Sequence, residues 1–200
     1  MTTLALTFTP PRDRGGARLA YQFACALAGS LLVAGLAQVS VRLPFTPVPI
    51  TGQTLGVLLV GAALGPVLGG VAMGVYLLEG AIGLPFFAGG ARGPDLFSST
   101  SPTGGYLWGF VVAGALVGWL SRRGWDRSLR SSIGAMLLGN IVIYALGVPW
   151  LVAALDVSLG KGLELGLYPF VIGDTAKLLL AAGILPAAWR VVGHRPGGVG

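Results

Sequence analysis

Long apolar stretches that carry very few charges constrain this chain more than any other feature. Of its 200 residues, 54% are hydrophobic and only 10% are charged, whereas a soluble domain carries about 25% charged residues. A soluble protein of this composition would expose too much apolar surface to water. The sequence therefore predicts an all-α integral membrane protein, with one domain over residues 1–200.

The apolar stretches predict six transmembrane helices. The stretch over residues 52–83 contains 32 residues, and as one helix it would be about 48 Å long, too long for a single crossing. Gly65-Pro66 interrupts it, so it is predicted to form two short spans joined by a tight turn. The other predicted spans are Leu19–Val41, Gly104–Leu120, Leu129–Gly147 and Tyr168–Trp189.

The segments between these spans read as connections. Arg42–Thr51 contains three prolines, which cannot continue a helix. Residues 84–103 are rich in Gly, Pro and Ser and predict a loop. Pro149–Leu155, with Trp150, is predicted as a short interfacial helix, and a second loop is predicted from there to Leu167.

The distribution of Lys and Arg predicts the orientation. With both termini in the cytoplasm, nine cationic residues lie inside and three lie outside, as the positive-inside rule requires. The bundle is then residues 19–189, between a cytoplasmic arm (1–18) and a cytoplasmic tail (190–200). The arm has no apolar core and is not expected to be a cleavable signal peptide. The inner cations are Arg12, Arg14, Arg18, Arg122, Arg123, Arg127, Arg130, Arg190 and Arg195; the outer ones are Arg42, Arg92 and Lys161.

Several chemistries have no support in the sequence. A GxxxxGK[ST] phosphate-binding loop is missing, so ATP hydrolysis by that route is excluded. The lone His194 lies in the predicted tail, away from any serine that it would have to activate. Cys25 is the only cysteine, and no cluster of residues offers a metal site. The net charge of +6 is better explained by membrane topology than by nucleic-acid binding, and no enzyme activity is expected.

Three ionisable residues fall within predicted spans: Glu79, Asp174 and Lys177. Each costs about 2.5–3.5 kcal/mol at the centre of a membrane helix. Asp174 and Lys177 are three residues apart and therefore share one helix face near the outer end of the sixth span. They are either an ion pair that makes insertion tolerable or a polar contact for a ligand. Glu79 lies close enough to a helix end to reach the interface.

Two further patterns each leave two interpretations open. The outer loop combines Phe87 with Gly89, Gly90 and Arg92, which suits either a flexible connector or close backbone approach to a ligand. Small residues every fourth position in the first span make a smooth stripe at Ala20, Ala24 and Ala28. That stripe suits packing within the bundle or docking onto another membrane protein.

Four sequence segments together resemble the BioY family. They are PFTPVPITGQT (44–54), GLPFFAGG (83–90), SPTGGYL (101–107) and YPFVIGDTAK (168–177), in the order typical of that family. BioY proteins are biotin-binding S components of energy-coupling factor (ECF) transporters in prokaryotic cytoplasmic membranes. The resemblance implies six helices, a biotin pocket near the outer face, and an energising module of one membrane coupling protein and two ATPases.

The resemblance also implies roles for individual residues. Asp174 and Lys177 match an aspartate and a lysine that the family needs for uptake, and the alanine stripe matches the surface that docks on the coupling protein. ATP is then used only by the partners, and the chain needs no cofactor of its own.

Biotin has a ureido ring, an apolar bicycle and a carboxylate tail, and polar groups in such a pocket orient the ligand. The alternative to an S component is a stand-alone proton-coupled carrier for biotin or a related vitamin. The expected biotin-binding residues are Asp174, Lys177, Gln53, Tyr76, Phe87, Gly89, Gly90, Arg92, Tyr106 and Tyr144.

Overall fold

A computed structural model describes residues 3–8 and 15–193. The predicted arm residues Arg12 and Arg14 and the tail residues His194 and Arg195 lie outside the described part. The described chain is predominantly helical, as the composition predicts. Its elements are α1 (Gly15–Gln38), β1 (Ser40–Val41), β2 (Ile50–Thr51), α2 (Gln53–Leu64), α3 (Pro66–Ala81), α4 (Gly104–Arg122), α5 (Leu129–Leu155), α6 (Leu159–Gly166) and α7 (Val171–Gly193), with 3-10 turns at Ala5–Phe8, Ala88–Gly90, Pro94–Phe97 and Tyr168–Phe170.

Within the described residues, four helical stretches are long and apolar enough to cross a membrane. They are Gly16–Gln38, Gly104–Arg122, Leu129–Leu155 and Leu159–Val192, the last of which contains both α6 and α7. Helices α2 and α3 are also apolar, but their 12 and 16 residues extend only about 18 and 24 Å. Large apolar side chains such as Phe23 and Trp108 are exposed on the helix surfaces, which fits a lipid environment.

The break between α2 and α3 falls at Gly65, where the sequence predicts it. Gly65 has φ +86°, a conformation that favours glycine, and its N–H donates to the carbonyl of Gly61 at 3.0 Å. Pro66 then occupies the first turn of α3, where a missing N–H costs nothing. The two helices therefore form a tight antiparallel pair.

Helix α4 packs at the centre of the bundle, between the α2–α3 pair and α5. Its glycines allow close approach: a Cβ on Gly114 would lie 3.1 Å from Met73 Cγ, and one on Gly109 would lie 3.0 Å from the Ile143 Cα. A buried apolar cluster on α2, α4, α5 and α7, which includes Leu58, Val117 and Met136, fills the half of the bundle where α4 ends. The other half contains a cavity.

Helix α5 does not end before Pro149. It continues to Leu155 with the proline inside it, so the prediction of a separate interfacial helix at Pro149–Leu155 is wrong. Proline removes one helical hydrogen bond, and packing against neighbouring helices compensates for that loss in membrane bundles. Here Trp150, directly after the proline, packs against Gly104 and Gly105 and donates its Nε1–H to the Ser101 carbonyl at 2.9 Å.

Two connections contain structure that the sequence pattern does not predict. The expected loop before Leu167 contains α6, which begins after Ser158; the Ser158 Oγ accepts a hydrogen bond from the Lys161 N–H. The first span ends at Gln38, because Ser40–Val41 pairs antiparallel with Ile50–Thr51. This two-stranded ribbon joins the ends of the proline-rich segment and holds it over the cavity.

Candidate functional site

A cavity of about 420 Å³ opens between the proline-rich segment, the loop after α3, the N-terminal parts of α2, α4 and α7, and the middle of α5. Its wall is mostly apolar, with Val48, Leu107, Phe110, Ile143 and Phe170 among the lining residues. This size falls in the range of about 300–1,000 Å³ that small-molecule pockets occupy. The lining comes from segments that are far apart in the sequence, so the cavity exists only in the folded bundle.

A charged network lies in the wall where α7 faces α2 and α5. The Lys177 ammonium donates to Asp174 Oδ1 at 2.6 Å and to Thr54 Oγ1 at 3.3 Å. The Thr54 hydroxyl also donates to Asp174 Oδ1 at 3.1 Å, and the Tyr144 hydroxyl donates to Asp174 Oδ2. Only 6% of the Asp174 side chain and 16% of the Lys177 side chain are exposed. The pair is therefore mutually neutralised, and both residues line the cavity.

The helix spacing explains this geometry. Asp174 lies in the first turn of α7 and Lys177 one turn later, so their side chains point in the same direction. The two residues form an ion pair, and a hollow lies beside it. Burial of such a pair costs desolvation energy. A contact of the pair with a ligand stays a prediction.

A second network fixes the amide of Gln53 at the start of α2. The Thr51 hydroxyl donates to Gln53 Oε1 at 2.7 Å, and the Gln53 amide nitrogen donates to the Tyr76 hydroxyl at 2.6 Å. Tyr76 in turn donates to the Phe86 carbonyl at 3.1 Å. Gln53 and Thr51 line the cavity, whereas the fully buried Tyr76 stands behind them and does not.

Aromatic side chains form one side of the cavity. Tyr106 and Tyr144 meet edge to face with ring centroids 6.2 Å apart, and the Tyr106 hydroxyl donates to the Gly166 carbonyl at 2.8 Å. Phe87, only 2% exposed, makes a similar contact with Tyr76 at 5.5 Å. All but Tyr76 line the cavity, and these contacts hold their rings in fixed positions.

The loop between α3 and α4 reaches the cavity through fewer residues than the sequence suggests. Phe87 lines it, but Gly89, Gly90 and Arg92 are not among the lining residues; Ala88 and Ala91 from the same loop are. Besides Lys177, the cation that lines the cavity is Arg42, which follows β1. Every ligand contact expected from the sequence, at these four positions as elsewhere, stays a prediction.

Several lining residues are missing from the set expected from the sequence. Arg42, Thr46, Thr51 and Thr54 are polar residues of this kind. The Thr46 hydroxyl donates to the Leu165 carbonyl at 2.6 Å. Thr54 lies next to Gln53 in the segment PFTPVPITGQT (44–54), so its place in that motif could have indicated that it lines the site. The sequence does not indicate Arg42 in this way, because its position at the cavity depends on the pairing of β1 with β2.

Two other groups of predicted residues lie away from the cavity. Glu79 is half-buried, and among the described residues its Oε2 has no hydrogen-bond partner. Ala20, Ala24 and Ala28 are all exposed on the face of α1 that no other described element covers. The stripe is therefore open for contact with lipid or with another protein.

Comparison with known proteins tests the resemblance that the four motifs indicate. The family model described as "BioY family" matches residues 9–194. The chain belongs to the BioY family. Similar relatives include the biotin transporter BioY of Rhizobium etli, 35% identical over 149 residues that make up 71% of this chain and 78% of the relative. The biotin transporter BioY2 of Lactococcus lactis subsp. cremoris is 32% identical, over 83% of this chain and 88% of its own length.

The fold of this BioY-family chain is also similar to a solved structure. A crystal structure of the S-component for biotin from an ECF-type ABC transporter matches with a TM-score of 0.79 and 25% sequence identity. The match covers 95% of this chain and 97% of the solved chain. The bundle, including the short α2–α3 pair, is therefore the fold of that S component.

Proposed function

We propose that this chain is the biotin-binding S component of an ECF-type ABC transporter and captures biotin at the outer face of the membrane. The observation that carries the proposal is the cavity of about 420 Å³ with a buried Asp174–Lys177 pair in an otherwise apolar wall. Membership of the BioY family and the biotin-transporter relatives support the choice of ligand. The chain itself catalyses no reaction in this role.

The charged network suits the ureido ring of biotin. That ring presents N–H donors and a carbonyl acceptor side by side. Asp174 accepts from an N–H, and Lys177 donates to the carbonyl oxygen, so the ion pair opens only slightly and both charges stay partnered. Gln53, whose amide is held by Thr51 and Tyr76, adds a further polar contact.

The apolar wall suits the rest of the ligand. Phe87, Tyr106 and Tyr144 enclose the sulfur-containing bicycle and the aliphatic chain by shape and by apolar contact. Tyr76 acts behind this wall by holding Gln53. Gly89 and Gly90, whose backbone freedom suits close approach to a ligand, contribute by shaping the loop that carries Ala88 and Ala91.

Energy for uptake comes from partners in this proposal. The chain contains no phosphate-binding loop of the GxxxxGK[ST] type. Two ATPase subunits therefore hydrolyse the ATP, and a membrane coupling protein transmits the energy of that hydrolysis to the chain. The exposed stripe of Ala20, Ala24 and Ala28 supplies a smooth surface for that coupling protein. The S component has six helices across a prokaryotic cytoplasmic membrane, counting the short α2 and α3, with both termini in the cytoplasm.

Equilibrium binding of labelled biotin to the purified chain tests the proposal. We expect Asp174→Asn and Lys177→Met each to weaken binding by at least about thirtyfold, because each leaves the other charge buried and unpaired. A matched control exists in α6, where Lys161 and Glu164 form an exposed pair with the same three-residue spacing at 2.9 Å. Glu164→Gln and Lys161→Met should bind as the wild type does.

Folding is checked separately from binding, because an unpaired buried charge also lowers stability. The double variant Asp174→Asn with Lys177→Met removes both charges and should elute as a monodisperse protein that still does not bind biotin. A wild-type chain that does not bind labelled biotin would refute the proposal. Uptake by vesicles containing this chain alone, abolished when the proton gradient is collapsed, would replace it by the proton-coupled carrier.

A further inference from the structure

The charge balance of the cavity depends on one residue. Of the charged residues within 3–8 and 15–193, three line the cavity: Arg42, Asp174 and Lys177. Asp174 and Lys177 neutralise each other, because their charged atoms are 2.6 Å apart. The remaining charge is the guanidinium of Arg42. The cavity as a whole therefore favours an anion, and it does so at Arg42 and not at the buried lysine.

Arg42 has a free guanidinium at the mouth of the cavity. The residue is exposed and lies directly after β1. None of the salt bridges among residues 3–8 and 15–193 involves it. Its planar fork of N–H donors matches the geometry of a carboxylate, and partial exposure allows a charged ligand group to arrive with some of its water.

The guanidinium of Arg42 lies beside the glycine-rich loop. Gly89 has φ +62°, and a Cβ at that position would lie 3.6 Å from Arg42 Nη2 and 3.2 Å from the Ser40 hydroxyl oxygen. The guanidinium thus lies against the bare backbone of Gly89. Arg42 thus lies beside the loop that contains Gly89, while the ion pair contacts Thr54 and Tyr144. The two charged groups therefore have different neighbours.

We propose that Arg42 binds the carboxylate of the ligand and selects for the anionic form of biotin. This step rests on the proposed function, in which the Asp174–Lys177 pair takes the ureido ring. A carboxylate placed at Lys177 instead would compete with Asp174 and bring two negative charges together. Arg92, the other cation of the outer loops near the cavity, is not a lining residue.

Binding of biotin and of biotinamide to the purified chain tests this assignment. Biotinamide replaces the carboxylate by an uncharged amide of nearly the same size. We expect the wild type to prefer biotin by about tenfold or more, as for a charge-assisted hydrogen bond. Arg42→Gln should lose that preference by weakening biotin alone, and Arg42→Lys should keep part of it. Lys161→Gln, which removes a distant outer charge, should keep all of it.

Any other result would contradict the assignment of the ligand carboxylate to Arg42. Arg42→Gln with the full preference for biotin would exclude the contact, and an equal loss for both ligands would make Arg42 structural. Arg92→Gln that loses the preference while Arg42→Gln retains it would assign the carboxylate to the outer loop. A wild-type chain that binds both ligands equally would refute the Arg42 proposal alone, whereas one that binds neither would refute the proposed function as well.

Discussion

Asp174 and Asp126 are both buried carboxylates, but their surroundings differ. Asp174 accepts hydrogen bonds from Thr54, Tyr144 and Lys177. Asp126, in the connection between α4 and α5, accepts one at 2.6 Å from the indole N–H of Trp189, and its Oδ1 has no partner among the described residues. Burial raises the pKa of Asp126, against the smaller lowering effects of Trp189 and Arg127. The first carboxylate has hydrogen-bond partners on both of its oxygens, while ionisation of the second opposes folding.

This difference predicts an unusual pH dependence for Asp126. Because its pKa is higher in the folded chain than in the unfolded chain, its contribution to stability is fully present below the unfolded pKa. That contribution is lost as the pH rises through the folded pKa. Asp126→Asn removes the ionisation and keeps an oxygen to accept from Trp189. We expect its thermal midpoint to equal or exceed that of the wild type at about pH 7, with the difference shrinking as the pH falls through the folded pKa of Asp126.

The exposed Asp95 provides the control for this measurement. Asp95→Asn removes the same charge from a solvated carboxylate in the outer loop, so its midpoint should track the wild type. A wild-type chain that loses stability relative to Asp126→Asn as the pH falls would show that the Asp126 anion stabilises the fold.

The site residues differ in how far sequence alone could find them. Asp174, Lys177, Gln53 and Tyr144 are polar or aromatic residues within apolar helices, and a membrane makes such residues conspicuous. The sequence predicts Arg92 at the cavity because Arg92 lies in a glycine-rich loop, and it does not predict Arg42 there. The difference arises from the β1–β2 pairing, a contact between residues about ten positions apart that no local pattern specifies.

At the level of the elements, Gly80 in α3 sets the position of the aromatic wall. A Cβ at Gly80 would overlap the ring of Phe87, which is itself packed edge to face against Tyr76 and Phe97. Gly80→Ala should therefore push Phe87 toward the cavity. We expect a lower thermal midpoint, from an overpacking cost of about 1–3 kcal/mol, and biotin binding weakened by about tenfold.

Gly74 lies in the same helix and has open space around it, with nothing within 4 Å of an added Cβ. Gly74→Ala should leave biotin binding unchanged and should not lower the midpoint, because alanine favours helix. If both variants lose binding alike, helix α3 as a whole would be intolerant to substitution, and the contact of Gly80 with Phe87 would not be the cause.

The elements also show why some boundaries follow from sequence and others do not. Gly65-Pro66 ends α2 as predicted, because the glycine adopts φ +86° and the proline fits the first turn of the next helix. Pro149 gives a similar local signal, yet α5 continues through it. What decides is tertiary packing: Trp150 is held against Ser101, Gly104 and Gly105 of the α4 start, and a local pattern contains no information about that contact.

On the scale of the whole molecule, the side on which each connection lies does not depend on whether the short helices α2 and α3 are counted as full crossings. Helices α2 and α3 are short and turn back at Gly65, so the chain returns to the side from which it left, whether or not each is a full span. The ribbon after α1 and the loop before α4 must then share one side. The connection between α4 and α5 must lie on the other.

Labelling of single cysteines tests this arrangement together with the proposed orientation. In a Cys25→Ser background, cysteine replaces the exposed Ser99 in the outer loop or the exposed Ser128 before α5. We expect a membrane-impermeant maleimide to label Ser99→Cys in intact cells and Ser128→Cys only after permeabilisation, because the four arginines around Ser128 hold that connection inside. Labelling of both from outside would contradict the helix arrangement. The reversed pattern would keep the arrangement and invert the chain, which would place the biotin cavity on the cytoplasmic side and rule out capture from outside.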